Sequence, residues 1–175
     1  MKTQEETTET ILLPLVQLMR NYADYNLWAN ATLVHWLRKK PEELLEKEVP
    51  SSFSSVRATI NHIWNAECYW LSILKKEEPG ERRQIEGDME DVFRALVEQS
   101  DRFADQVITM TAEEINQNNL VIDPWFQCDF KNFEYIMQTI NHSTYHRGQI
   151  ITIGRNLGFT DAPMTDYNFY NIHGI

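Results

Sequence analysis

Four long stretches of this 175-residue chain repeat apolar residues at intervals of three and four, and no stretch sustains the alternation of a half-buried strand. That periodicity limits the chain to packed helices. The first stretch, 10–40, carries Ile11, Leu15, Leu18, Tyr22, Tyr25, Trp28, Ala29, Leu33, Trp36 and Leu37. Pro14 is expected in its first turn, and Lys39, Lys40 and Pro41 close it. The second stretch, 55–76, follows a run of serines (Ser51, Ser52, Ser54, Ser55) that offers several N-caps. Val56, Ile60, Ile63, Leu71 and Leu74 form one face of it, and Thr59, His62, Ala66, Tyr69 and Ile73 another. A helix apolar on two sides is central and touches two neighbours.

Asp88 is placed to cap a third helix over 89–110, with Phe93, Leu96, Val97, Phe103, Val107 and Met110 as its buried stripe. Thr111 and Glu114 form a capping-box pattern for a short extra turn. Residues 116–131 are irregular and read as a loop or a short hairpin. The fourth helix spans 132–157, with Gly158 just past its end, and the aromatic tail 159–175 is expected to pack on the helices. These elements predict an all-α fold: a four-helix bundle with an irregular connection before the last helix, forming one domain over residues 1–175.

Charge narrows the function. Sixteen Lys and Arg against 26 Asp and Glu leave a net charge of −10, which repels phosphate backbones and anionic lipid. Nucleic-acid and membrane partners are therefore not expected. No run of 18 apolar residues offers a membrane span, and the polar, acidic start MKTQEETTET lacks the pattern of a secretory leader, so a cytoplasmic location is expected. Cys68 and Cys128 form no CxxC pair and read as two buried thiols, although spacing alone leaves a single disulfide open.

The sharpest chemical signal is His142-Ser-Thr-Tyr-His146. Histidines four apart on a helix share a face, offset by about 40° around the axis and about 6 Å along it, a spacing that one metal ion bridges. A third ligand must come from elsewhere, and His62, mid-helix in the central segment, is the best placed. Tyr135, Gln138, Thr139, Gln149 and Ile153 share the His142–His146 face, and the polar ones are suited to orient the imidazoles. Met137, Ile140, Thr144 and Ile151 lie opposite and are expected to form the core face. Periodicity alone does not distinguish a polar face meeting solvent from one lining a cavity, and short HxxxH patterns recur by chance. Position 143 is serine, so this is not the HExxH of zinc proteases.

The segments Asn61-His62-Ile63-Trp64-Asn65-Ala66-Glu67-Cys68-Tyr69-Trp70-Leu71 and Asn141-His142-Ser143-Thr144-Tyr145-His146-Arg147-Gly148-Gln149-Ile150 resemble the two signature segments of the DinB/YfiT-like superfamily. Tyr25-Asn26-Leu27-Trp28-Ala29-Asn30 resembles its first-helix pattern, and the likeness spans roughly residues 10–158. The resemblance implies a four-helix bundle holding a divalent metal, zinc or nickel first among the options, on His62, His142 and His146. It also implies a homodimer and, from some relatives, a thiol-dependent S-transferase or isomerase using a low-molecular-weight thiol such as bacillithiol or mycothiol; an open position on a three-histidine metal would equally hold hydroxide for a hydrolase acting on a small molecule. The other reading is a non-catalytic, stress-related bundle that binds a metal or a small ligand.

Further residues have structural expectations. Glu67 falls among apolar positions and is expected to be buried against an Asn, Tyr or Arg partner, because an unpaired buried carboxylate costs several kcal/mol. Arg147 is expected to be structural, Gly148 to permit close helix packing, and Tyr145 to pack in the core or, as the alternative, to line the pocket. Trp28, Trp64, Trp70 and Trp125 read as core or pocket wall, and His35 and His173 as solvated residues at helix ends.

Overall fold

The computed structural model describes residues 4–174, with side chains described from Leu13 onward. The apolar role expected of the Ile11 side chain falls outside the described side chains. Seven helices and one hairpin follow in the order α1 (Gln4–Leu37), α2 (Glu42–Leu45), α3 (Val56–Lys75), α4 (Met89–Thr109), α5 (Ala112–Asn116), β1 (Asn118–Asp123), β2 (Phe126–Lys131), α6 (Asn132–Asn156) and α7 (Tyr167–His173). The fold is mostly helical, and the all-α expectation is corrected only by the two-stranded sheet. Each of the four long helices packs against two others, α1 and α3 both meeting α4 and α6.

The local chemistry of the boundaries matches the elements. Ser55 caps α3 by accepting the Ala58 N–H at 3.1 Å. Capping boxes open α4 at Asp88–Asp91 and α5 at Thr111–Glu114. At the end of α6, Gly158 takes φ +91°, and the Phe159 N–H reaches back 2.8 Å to the Gly154 carbonyl. Pro14 departs from expectation: α1 begins at Gln4, which puts the proline inside the helix. Its missing N–H there removes one ladder bond, a loss a longer helix carries.

The buried stripe of α1 runs Val16, Met19, Ala23, Asn26, Asn30, Leu33 and Leu37, so two asparagines sit where the spacing calls for apolar residues. Leu18, assigned to the core by its type, is instead 49% exposed. The α6 core assignment is also corrected. Met137 and Thr144 are exposed and Ile151 is only partly buried, while Ile136, Ile140, Ser143, Arg147 and Ile150 face inward. The helix buries a stripe that includes a serine and an arginine, which a search for apolar residues passes over.

Within 116–131, where the sequence predicts a loop or a short hairpin, residues 118–131 form an antiparallel hairpin, in register from Asn118 opposite Lys131 to Asp123 opposite Phe126. Its turn is pinned by the Trp125 N–H donating to Asp123 Oδ1 at 3.0 Å, and its tip is tied to α3 by the Tyr69 hydroxyl on Asp123 Oδ2 at 3.1 Å. Trp125 is 85% exposed at that turn, so it is not a core residue. Gly148 has open space around it, while Gly154 is the glycine of close approach: a Cβ there would stand 2.8 Å from the Trp36 ring. Cys68 and Cys128 are both free and partly buried. No helix among the described residues is long and apolar enough to cross a membrane.

Candidate metal centre

His62 lies in the second turn of α3, and His142 and His146 occupy successive turns of α6. Because α3 and α6 pack side by side, the three rings meet across their boundary. Ring centroids are 4.8 Å apart for His62–His142 and 4.4 Å for both His62–His146 and His142–His146. Each ring offers a nitrogen, and the three nitrogens lie within 4.8 Å of one another. The Nε2 atoms of His62 and His142 are 2.8 Å apart. Two protonated rings would repel at that distance, so at most one of these nitrogens carries a hydrogen.

Burial and proximity hold the cluster neutral. Desolvation first, then the neighbouring His146 and His142 rings and the Arg82 guanidinium, lower the His62 pKa to about 4. His142 falls to about 4 for the same leading reason, helped by His146 and Arg82. His146 is also lowered by burial, against a smaller opposing effect of its bond to Gln149. Neutral imidazoles with inward lone pairs are the form in which histidine binds a cation.

Gln149 and Ser52 orient the third ring. His146 Nδ1 donates to Gln149 Oε1 at 2.7 Å, which leaves Nε2 as the acceptor nitrogen, and Gln149 Nε2 donates onward to Ser52 Oγ at 3.3 Å. Gln149 thus holds the His146 ring, the partner its place on that face suggests. Thr139 bonds the carbonyl of Tyr135 on its own helix instead. Phe53, in the loop before α3, stacks on His62 at a centroid distance of 4.1 Å and meets His146 edge-on at 5.4 Å. Sequence reasoning passed over Phe53; the available signal was a single aromatic in the polar run Ser51-Ser52-Phe53-Ser54-Ser55. Tyr145 stands edge-on to His146 at 4.9 Å and is 63% exposed, so it borders the site rather than entering the core.

A second polar cluster lies behind the first. Glu67 is fully buried, and its Oε1 accepts from Asn26 at 2.7 Å, Asn30 at 3.0 Å and Ser143 at 3.1 Å, while Oε2 accepts from Ser100 at 2.8 Å. Arg147 Nη1 donates to the Asn26 and Asn30 side-chain oxygens at 2.8 Å each, and Nη2 to the hydroxyls of Tyr25 and Thr144. Burial raises the Glu67 pKa, the donors and Arg147 oppose it, and the Arg147 pKa is lowered by its own burial. The expected asparagine partner for Glu67 is present, and Arg147 joins the same network through the two asparagines. Glu67 contributes no atom to the histidine cluster. His35 and His173 lie exposed near the ends of α1 and α7, away from it.

The geometry defines a mostly helical protein in which two long helices bring three imidazoles to one point. Residues 7–173 match the profile of the DinB family, and the chain belongs to that family. It is 29% identical over 161 residues to "Protein DinB" of Bacillus subtilis (strain 168), covering 84% of this chain and 90% of the relative. The crystal structure of a DinB-like protein, YjoA, from Bacillus subtilis superposes with a TM-score of 0.65 at 15% identity, covering 83% of this chain and 97% of that one. The structural likeness speaks to the shared fold.

Proposed function

We propose that the four long helices form a four-helix bundle whose purpose is to hold one divalent metal ion, zinc or nickel, on His62, His142 and His146. The protein then acts as a metal-dependent enzyme on a small molecule, as a thiol S-transferase or a hydrolase, in a cytoplasmic homodimer. The observation that carries this reading is the convergence of three imidazoles with no fourth histidine, cysteine or carboxylate in the group among the described residues. Ligands about 2.0–2.1 Å from a tetrahedral zinc stand about 3.3 Å apart, so the 2.8 Å His62–His142 spacing needs only a few tenths of an ångström of adjustment.

A bound divalent ion with an open position lowers the pKa of a water or thiol placed there, which supplies a nucleophile at neutral pH. The chain's own residues prepare that position. Gln149 fixes the His146 ring, Phe53 shields one side of His62, and Arg82 adds positive potential that draws an anionic or thiolate reactant toward the rings. Glu67 is fully buried and contributes no atom to the histidine group, so it is not placed to serve as its general base. With no carboxylate in the cluster, thiol transfer is favoured over a hydrolase that needs a protein base.

Metal analysis of untagged protein tests the reading. Wild type is expected to carry about one ion per chain and His142→Ala almost none, with release as the pH falls toward about 4, where the His62 and His142 imidazoles protonate. Equal metal content in the two proteins would remove the proposed centre. Loaded protein is then assayed for conjugation of a low-molecular-weight thiol to an electrophile, and loss of that activity in His142→Ala separates the enzyme from a purely binding bundle.

A further inference from the structure

A cavity of about 420 Å3 opens between β2, α3 and α6, lined by Trp70, Phe126, Cys128, Phe130, Tyr135 and Gln138. That volume lies in the range of small-molecule sites. Phe126, Cys128 and Phe130 alternate along β2 and so share the face turned toward the helices. Phe126 nevertheless remains 40% exposed and Phe130 50%, because the space beside them is open. The rings around this space are ordered: Trp70 lies 5.4 Å from Tyr135 with planes 19° apart, and 6.2 Å from Phe126 with planes 28° apart.

The cavity lies further along α3 and α6 from the histidine cluster, which does not itself line it. Gln138 precedes His142 by one helical turn, about 6 Å, and Tyr135 precedes it by about 10 Å. On α3, Trp70 follows His62 by about 12 Å toward the same end. Its polar character is limited. The Tyr135 hydroxyl is occupied, donating to the Asn119 carbonyl at 2.6 Å and accepting from the Phe130 N–H at 3.1 Å. The exposed Glu134 carboxylate at the rim, on a chain of net charge −10, opposes an anion.

We infer that this cavity is the subsite for a flat, uncharged aromatic body of the substrate, whose polar reacting end lies about 10 Å away at the three histidines. The inference rests on the proposed metal centre for its second half and on the aromatic cavity alone for its first. Near-parallel rings favour a planar guest over an aliphatic one of equal bulk, because stacking adds to the burial of area.

Calorimetric titration with 2-naphthol tests the first half. Wild type is expected to bind it at least about tenfold more tightly than the saturated analogue decahydro-2-naphthol, and Gln138→Trp, a solvent-facing change that fills the mouth, to weaken it at least about tenfold. Phe130→Ala, on the exposed hairpin, weakens it as well. Equal affinity for the two bicycles, or no change in Gln138→Trp, overturns the inference. So does naphthol binding that disappears as a concentration-dependent dimer covers Phe126 and Phe130, which would make this face a subunit contact. The second half is read with 4-(2-naphthyl)butanohydroxamic acid, whose linker is long enough to carry the hydroxamate from the cavity to the rings. On metal-loaded protein it is expected to bind at least about thirtyfold more tightly than either 2-naphthol or acetohydroxamic acid, with the gain lost on metal removal. No gain over naphthol overturns the link between cavity and cluster. Naphthol binding by a chain that carries no metal refutes the proposed function and leaves the cavity standing; metal content without naphthol binding does the reverse.

Discussion

Two polar clusters sit within the same helices, and they are built on opposite principles. Around Glu67 the oxygens of the carboxylate are filled by four donors, and Arg147 lacks a partner only at Nε. Around His62 three rings are pressed together with one nitrogen of each converging and, among the described residues, only one outward nitrogen, that of His146, given a protein partner. A satisfied network of buried charges holds elements in register, whereas a desolvated set of acceptors without donors is a receptor waiting for a cation. The clusters are one residue apart on α6, where His142 adjoins Ser143 and His146 adjoins Arg147. The helix thus presents the rigid cluster to the core and the receptive one to the α3 boundary.

The comparison is broken most forcefully at Arg147. Arg147→Ala leaves Glu67 buried without its counter-charge and is expected to cost about 3–5 kcal/mol in urea unfolding of the metal-free protein. A cost below about 1 kcal/mol would show that the network is not the frame. His142→Ala is expected to act in the other direction, reducing metal affinity by about 100-fold or more while changing metal-free stability by less than about 1 kcal/mol. A large loss of metal-free stability would place the histidines in the structural class. Gln149→Leu releases the His146 ring and is expected to weaken metal binding by about tenfold with stability unchanged, as measured by competition against a chelating dye.

A further effect is in pH. His62 and His142 bind protons less readily in the folded protein than in the unfolded chain, with folded values of about 4 against an ordinary 6.5. The unfolded chain therefore binds more protons between these values. The stability of metal-free protein is full above about pH 6.5 and is lost progressively toward pH 4, and a His62→Ala, His142→Ala double variant should flatten that slope.

The receptive cluster was legible in the sequence because histidines at i and i+4 need only helical spacing to meet, and a central α3 leaves few other places for His62. The satisfied network was only half legible. Glu67 could be foreseen as buried, but Asn26 and Asn30 occupy the heptad-like stripe of α1, and Ser143 and Arg147 that of α6, where polar residues read as solvent-facing. A polar residue on a buried register is itself the signal, and only its partner across the interface tells which. The hairpin was obscured because Leu120, Val121 and Ile122 are contiguous rather than alternating, and Leu120 and Ile122 remain largely exposed. Phe53 approaches the rings through a loop, and no periodicity governs a loop.

The three imidazoles also have a topological consequence. Positions 62 and 142 are separated by 80 residues, and neither Cys68 nor Cys128 is in a disulfide. An ion gripped between the rings would close that span as a covalent crosslink does, and the chain-entropy relation for a closed loop of this size gives an upper bound of about 4.5 kcal/mol of restraint on the unfolded ensemble. Loading would then decide how tightly the carboxy-terminal half of the chain is fastened to the rest.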